Sequence, residues 1–356
     1  MKDEVQSVKR ISMISPGLSG GGAERVLAIL ANYLAKEGYE VLFIAVYSSE
    51  KQYFLDERVI YKYVDIKKAC KGIRLLKRMV QIEKMVCEFK SDIIISFLMN
   101  EVLLTNVKNK IPIIYSMRND PSNTLKKIYE RWICFFSYRR AQNIVFQTKG
   151  ARDYFPHDIA QKGIVITNPL LDDLPYWDIN GHKKIIMTAC RLTKQKNIKM
   201  LLNAFSLFHT KFPDYILEIY GRGELLKELK VLCTELEIEQ CTFFKGHVDT
   251  VHDAMVKSEM FVLSSDYEGL SNAMLEALAI GVPTICTDCP PGGAAEYIQS
   301  GVNGLLVPVG DVQMLYQCMC RMAGNDDEKR RMSEEAVKVR DKLCINEIIK
   351  EWENLF

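Results

Sequence analysis

Short apolar runs alternate along the chain with longer segments whose apolar residues return every three or four positions, the joint signature of strands and amphipathic helices in parallel α/β sheets. In the first half, residues 11–15, 41–46, 92–97, 112–116 and 143–147 read as strands. Residues 23–36 read as a helix that turns Val26, Leu27, Leu30 and Leu34 inward and stops at Gly38. A second series begins at 185–190 and repeats at 215–220, 241–245, 260–264 and 283–287. Between the two, 168–183 carries two prolines and two adjacent aspartates with little periodicity, which marks a linker. The expected architecture is α/β, with two Rossmann-like domains over residues 1–175 and 176–344 facing one cleft. No short-period repeat or low-complexity stretch interrupts the series.

Length and composition agree with this division. The chain has 356 residues, enough for two domains that each bury a core, and its 48% hydrophobic and 26% charged residues are a soluble globular balance. It holds no run of about 18 uncharged apolar residues, so no membrane-crossing helix is expected. The start, MKDEVQSVKR, has two acids and no following apolar region with a cleavage site, so no secretory signal is expected either. Eleven cysteines scattered through apolar segments suit a reducing cytoplasm better than a disulfide framework. Cys286-x-x-Cys289 and Cys318-x-Cys320 could be imagined as zinc ligands. The first pair ends a strand and runs into Pro290-Pro291, the second lies on an apolar helix, and the five histidines show no paired spacing, so no metal is expected. A formal net charge of +2 selects no partner.

The chemistry concentrates in the stretch Glu268-Gly-Leu-Ser-Asn-Ala-Met-Leu-Glu276. A glycine turn that opens a helix presents the amides of Gly269, Leu270 and Ser271, and such amides favour an anion such as a diphosphate. The flanking carboxylates cannot bind phosphate and are suited to accept hydrogen bonds from hydroxyls. Phosphate on amides and hydroxyls on Glu268 and Glu276 together fit a nucleotide-sugar. The competing reading is an ordinary N-cap at Ser271 with two solvated acids. Upstream, Arg191 and Lys196 lie in a strand-to-helix loop before Ile198, Leu201, Leu202, Phe205 and Phe208. Loops at the carboxyl rim of a parallel sheet line the ligand crevice, where two cations could neutralise a diphosphate leaving group. Solvated loop-end charges are the alternative.

The glycine-rich segment Gly20-Gly21-Gly22-Ala23-Glu24 also begins a helix, but the G-x-G-x-x-G spacing of dinucleotide-binding folds fails because Arg25 occupies the third position. What remains is either a loop that lets a ligand approach the backbone, with Glu24 and Arg25 at the helix start, or a plain flexible turn.

Taken together these segments resemble the retaining GT-B glycosyltransferases of the large family (glycosyltransferase family 4 type) that includes sucrose and lipopolysaccharide-sugar transferases. EGLSNAMLE is similar to its E-x7-E motif and CRLTKQKN to its G-R-L-x-x-x-K loop. SPGLSGGGAERV resembles its glycine-rich first loop, YGRGELLKEL its G-x-G-x-x-x-x-L turn, and FFKGHV its F-x-G-x-V segment. GVPTICTDCPPGGAAEYI, NGLLVPVGD and Asn168-Pro169 also fit.

The resemblance implies a helix over 345–356 that folds back onto the first domain, and it implies roles for the residues above. Arg191 and Lys196 would stabilise the departing β-phosphate, Glu276 would hold the ribose and Glu268 a donor-sugar hydroxyl. Gly22 and Gly221 would approach the donor, and His247 or Val248 would bound the base with main-chain groups. Glu24, Arg25 and Asn119 would face the acceptor. The family commonly has a histidine after the strand at 113–116, where this chain has Ser116-Met-Arg-Asn-Asp120. Arg118 or Asn119 takes that place, and Arg118 either reaches the diphosphate or pairs with Asp120. No D-x-D triplet occurs, so catalysis without a metal or other cofactor is expected, and replacing Arg191 or Lys196 is expected to leave folding little changed.

A separate signal lies in KKIYERWICFFSYRR, residues 126–140, where Trp132, Ile133, Phe135 and Phe136 sit among Lys126, Lys127, Arg131, Arg139 and Arg140. Lys67, Lys68, Lys71, Arg74, Lys77 and Arg78 add a second basic segment. Such segments can dock on an anionic membrane surface, the alternative being a core helix with a solvated edge. Nucleic acid is not expected, because no binding motif accompanies the cations. The expected activity is transfer of a hexose or N-acetylhexosamine from a UDP-sugar to a lipid-linked or growing glycan in surface polysaccharide synthesis, at the inner face of the cell membrane. A nucleotide-sugar epimerase and a non-catalytic sugar-nucleotide scaffold are the rivals.

Overall fold

The structure, a computed structural model, describes residues 9–66, 70–108, 110–171, 173–248 and 251–356. Its first sheet contains β1 (Arg10–Ser15), β2 (Glu40–Ala45), β3 (Ile60–Tyr63), β4 (Ile93–Ser96), β5 (Ile113–Met117), β6 (Asn143–Phe146) and β7 (Gly163–Val165), in the order β3-β2-β1-β4-β5-β6-β7. The second contains β8 (Lys183–Ala189), β9 (Ile216–Tyr220), β10 (Thr242–Gly246), β11 (Ser258–Leu263), β12 (Thr284–Thr287) and β13 (Leu305–Val307), in the order β10-β9-β8-β11-β12-β13. Every pairing is parallel, as in the registers Ile11 to Val41 and Ile186 to Leu217. The central strands are buried along their length, which is why they read as unbroken apolar runs.

Three strands have no apolar run long enough to announce them. β3 is half-exposed and interrupted by Lys62, and β7 and β13 have three residues each. All three are sheet edges: β3 and β7 are half-exposed and so free of the demand for continuous apolar residues, whereas β13 is apolar and mostly buried but only three residues long.

Two compact units result, one of Met1–Asn168 with Ile348–Phe356 and one of Pro169–Glu347. In the first unit, helix Gly22–Lys36 buries Val26, Leu27, Leu30 and Leu34. The final helix is Ile345–Glu353. Its later residues group with the first unit, where Trp352 is 1% exposed, Phe356 meets the Tyr39 ring edge-on at 5.8 Å, and Gln142 donates to the Leu355 carbonyl.

In the second unit, helix Ile198–Lys211 buries the five apolar residues that its period selects, and Phe208 stacks on Phe212 at 4.8 Å. Each such burial contributes roughly 1.5–3 kcal/mol before the entropy of ordering is counted. The segment expected as a linker is seated on this unit. Leu170, Leu174 and Trp177 join its core, the Trp177 indole N–H donates to the Ser258 carbonyl at 2.8 Å, and Arg340 donates to the carbonyls of Leu174 and Pro175. The prolines and aspartates hid this packing, because three apolar anchors in an irregular segment have no period.

In each sheet the strand order reverses at one point, between β1 and β4 and between β8 and β11. Loops leaving the carboxyl ends of strands beside such a reversal diverge and open a crevice for ligands. The glycine-rich loop follows β1, and the Arg191 loop follows β8.

Candidate active site

Within the second unit the loop after β8 is stitched to the loop after β9. Cys190 N–H donates to Tyr220 O at 3.0 Å, Leu192 N–H to Arg222 O at 2.9 Å, and Gly221 N–H to Gly246 O at 2.7 Å. The approach is so close that a Cβ on Gly221 would lie 1.9 Å from Cys190 O and one on Gly223 2.2 Å from Leu192 O. Gly221 also has φ +127°, a region that L side chains avoid. The turn therefore requires these glycines for packing, and through Gly246 it brings His247 and Val248 to the same rim.

Arg191 is exposed on this rim and faces no acid at ion-pair distance among the described residues. Lys196 differs sharply. It ends a single turn of 3-10 helix, is 8% exposed, and forms an ion pair with Glu268. Asn197 follows in the left-handed conformation and caps the next helix, accepting from Met200 N–H, while its amide donates to Asp266 at 2.6 Å. Ser264 Oγ donates to the carbonyls of Lys196 and Asn197, which ties the loop to the end of β11.

Glu268 is the centre of the cluster. Besides Lys196, its carboxylate accepts from Ser265 Oγ at 2.6 Å and Gln195 Nε2 at 3.3 Å, and Gln195 also donates to Tyr267 O. Its backbone N–H is taken by Pro290 O. Helix Asn272–Ile280 then begins with Ser271 as N-cap, Ser271 Oγ accepting from Met274 N–H at 3.4 Å. The N-cap of the competing reading and the amide-rich turn are thus both present, and the N–H groups of Gly269 and Ser271 have no acceptor among the described residues. Leu270 is 7% exposed beside them.

The two acids are not solvated. Glu276 is 2% exposed, one turn into the helix, and His252 Nε2 stands 3.1 Å from its Oε2, close enough for an ion pair though not aligned as a hydrogen bond. Cys190 lies behind the pair of Lys196 and Glu268, its thiol pushed up to about 11, chiefly by burial. Cys286 and Cys289 are free and buried, so their thiols too are held up and protonated at neutral pH.

Arg191, Lys196, Gly221, His247, Val248, Glu268, Gly269, Leu270, Ser271 and Glu276 therefore share the carboxyl-end rim of one sheet. Sequence reading missed Gln195, Ser265 and His252. Gln195 sits between two noticed cations and was available to it. His252 comes from helix Val251–Lys257, with no spacing that links it to Glu276.

Within the first unit, Gly22 opens the helix after β1, Glu24 folds back to accept from Gly21 N–H at 3.2 Å, and Arg25 is half-buried beside it. Glu24 is 8% exposed and serves the cap locally. Arg118 follows β5 but does not pair with Asp120. Asp120 caps helix Pro121–Thr124, accepting from Ser122 N–H at 3.0 Å and from Ser122 Oγ and Asn123 Nδ2, each at 2.6 Å, while Asn119 Oδ1 accepts from the Asp120 N–H. Arg118 donates instead to Asn168 and to Ser116 Oγ, and its guanidinium lies 5.0 Å from the Phe97 ring. No carboxylate partners it among the described residues, so burial alone acts, and it holds the group below its ordinary pKa though still charged at neutral pH. Unforeseen on the same rim is Glu101, 4% exposed, which accepts from the Tyr47 hydroxyl beneath the Arg78 guanidinium.

Residues 173–339 match the model of the family described as glycosyl transferases group 1, and residues 20–170 that of Glycosyltransferase Family 4. The chain is 26% identical over 349 residues to an uncharacterized glycosyltransferase of Haemophilus influenzae, covering 95% of this chain and 96% of that one. It is 27% identical over 355 residues to a Campylobacter jejuni α-1,4-N-acetyl-D-galactosaminyltransferase whose substrate is a GalNAc-containing diNAcBac-PP-undecaprenol, covering 96% and 97%. Among solved structures, sucrose-phosphate synthase of Thermosynechococcus elongatus superposes with a TM-score of 0.85 at 15% identity over 98% of both chains.

Proposed function

We propose, for a chain that belongs to the GT-B glycosyltransferases through a Family 4 amino-terminal half and a group 1 carboxyl-terminal half, that it moves a hexose or N-acetylhexosamine from a UDP-sugar to a lipid-linked or growing glycan acceptor with retention of configuration. The observation that carries this reading is the junction of Arg191, the ion pair of Lys196 and Glu268, and the amide turn at Gly269 and Ser271 on one rim. A donor diphosphate brings to that rim the anion that Lys196 lacks apart from Glu268. As Lys196 turns to the β-phosphate, Glu268 is released to a hydroxyl of the sugar, still held by Ser265 and Gln195.

When the bond from the anomeric carbon to the β-phosphate oxygen breaks, negative charge gathers on that oxygen. Arg191, Lys196 and the helix amides are the groups aimed at it. The acceptor hydroxyl adds from the same face, and its proton passes to the departing phosphate. Two side-chain cations supply the charge that a metal would otherwise bring, so the reaction proceeds without one and without a cofactor. Glu276 takes the ribose hydroxyls, with His252 behind it. In the first unit Gly22 and Arg118 are assigned to the donor, and Glu24, Arg25 and Asn119 to the acceptor.

The Campylobacter relative acts on an undecaprenol-linked glycan, which supports a lipid-linked acceptor here and a place at the inner face of the cell membrane. Among the described residues no helix is long and apolar enough to cross a membrane, so docking falls to a surface such as 126–140, while nucleic acid has no part. The test is a thermal-shift screen of UDP- and GDP-sugars followed by product analysis with lipid-linked and short-chain acceptors. Stabilisation by a UDP-sugar and a lengthened acceptor are expected. Conversion of the UDP-sugar to its epimer without any acceptor product would overturn the reading.

A further inference from the structure

Helix Ile128–Arg140 buries Cys134, Ser137 and Tyr138 and packs Phe135 on Phe155, so part of its aromatic content is ordinary core. Its opposite stripe is not. Ile128 is 73% exposed, Trp132 72% and Phe136 46%, spaced four residues apart on one face, with Tyr129 at 53% beside them. On helix Lys71–Phe89, Ile73, Leu76 and Val80 are likewise half-exposed or more. The short helix Leu103–Lys108 packs against both and carries the exposed Val107. One unit thus turns eight large apolar side chains outward across three neighbouring helices, which a soluble surface rarely does without a partner.

The rim of this face is basic, and that identifies the partner. Arg139 is engaged with Asp158 at 2.5 Å, Lys108 with Glu83 at 3.7 Å, and Arg140 donates to Asn106 O. Lys77, Lys126 and Arg131 are exposed and face no acid at ion-pair distance among the described residues. Lys67 and Lys68, which belong to the same basic segment, lie outside the described residues. An apolar stripe with an exposed tryptophan, bordered by unpaired cations, is complementary to the headgroup and upper acyl region of an anionic bilayer. A protein partner of matching shape would not require both.

We propose that helices Lys71–Phe89 and Ile128–Arg140 form an insertion surface for anionic lipid bilayers, with Ile128, Trp132 and Phe136 entering the acyl boundary and Lys77, Lys126 and Arg131 at the headgroups. This deepens the membrane-surface part of the functional reading, and it is tested without donor or acceptor, so it stands or falls separately from sugar transfer. Burial depth separates insertion from simple charge attraction. Apolar insertion survives salt that screens headgroup attraction, which fades within a Debye length of about 3 Å at molar ionic strength.

The chain has three tryptophans. Trp177 and Trp352 are 8% and 1% exposed, so Trp132 reports alone on this surface. The full chain is mixed with phosphatidylglycerol/phosphatidylethanolamine vesicles, with and without bromine-labelled acyl chains. A blue shift and bromine quenching of the emission are expected, both absent in Trp132→Phe. Ile128→Ser/Trp132→Ser is expected to lower vesicle partitioning roughly tenfold or more at high salt, given the transfer energies of the two side chains. Its melting temperature should match the wild type, because neither side chain is in the core. Lys77→Ser/Lys126→Ser/Arg131→Ser should lose binding chiefly at low salt. Binding that vanishes at high salt with Trp132 unquenched would overturn insertion. So would a dimer that Ile128→Ser/Trp132→Ser dissolves and that ignores vesicles.

Discussion

Lys196→Ala removes one partner of an ion pair whose side chains are only 10% and 12% exposed. Stranding a buried charge in this way costs about 3–5 kcal/mol. The cost here lies lower, because Glu268 keeps its hydrogen bonds from Ser265 and Gln195 and only the charge-assisted contact is lost, at roughly 1.5–3 kcal/mol. For a unit of this size that corresponds to a fall in melting temperature of roughly 5–10 °C. Arg191→Ala, at an exposed and unpaired position, should stay within about 0.5 kcal/mol of the wild type. Both variants should lose turnover by roughly 10²- to 10³-fold, the usual loss when one stabiliser of developing charge is removed. Adding Glu268→Gln to Lys196→Ala removes the stranded charge and should recover part of the stability, with a coupling of about 1–3 kcal/mol. Differential scanning fluorimetry gives the stabilities and UDP release the rates. A Lys196→Ala protein that melts like the wild type and shows no coupling to Glu268 would refute the buried pair. Near-normal turnover in both single variants would refute the leaving-group assignment.

Turnover should persist in excess EDTA, and complete loss restored by manganese or magnesium would contradict catalysis by Arg191 and Lys196 alone. Calorimetry with UDP should show Glu276→Gln weakening nucleotide binding, whereas Glu268→Gln keeps most UDP affinity and slows the sugar step; the opposite pattern would exchange the two roles. Gly221→Ala places a Cβ 1.9 Å from Cys190 O at φ +127°, so it should destabilise the second unit by about 2 kcal/mol or more and weaken UDP binding. Unchanged melting and affinity would mean that the two loops are not held together as described.

The central strands and the helices that cover them were legible because burial on both faces forces unbroken apolar runs, and burial on one face forces a helical period. The half-exposed edge strands β3 and β7 escape that rule, and β13 obeys it over only three residues. The residues grouped at the candidate site stand out in the sequence wherever backbone geometry restricts the residue, as at Gly221, or wherever charge stands against an apolar background, as at Arg191 and Lys196. What the sequence could not show is pairing across it. Lys196 and Glu268 are 72 positions apart and join only because the loops after β8 and β11 meet at the strand-order reversal. Against the expectation that replacing either cation leaves folding little changed, that pair predicts a stability cost for Lys196 that Arg191 does not share. The same limit applies to 126–140, where composition could not separate the core aromatics from Trp132 on the outer face.

The central claim is that the rim of the second unit delivers a sugar from a UDP-sugar to an acceptor. Its most direct test is mass spectrometry of a short-chain lipid-diphosphate glycan incubated with the full chain and a panel of UDP-hexoses and UDP-N-acetylhexosamines, beside Arg191→Ala as control, with the anomeric coupling of the product read by NMR. An acceptor heavier by one hexose or N-acetylhexosamine, joined in the donor's own anomeric configuration, is expected with the wild type, and little product with Arg191→Ala. An inverted linkage, or a donor consumed while the acceptor mass stays unchanged, would contradict it.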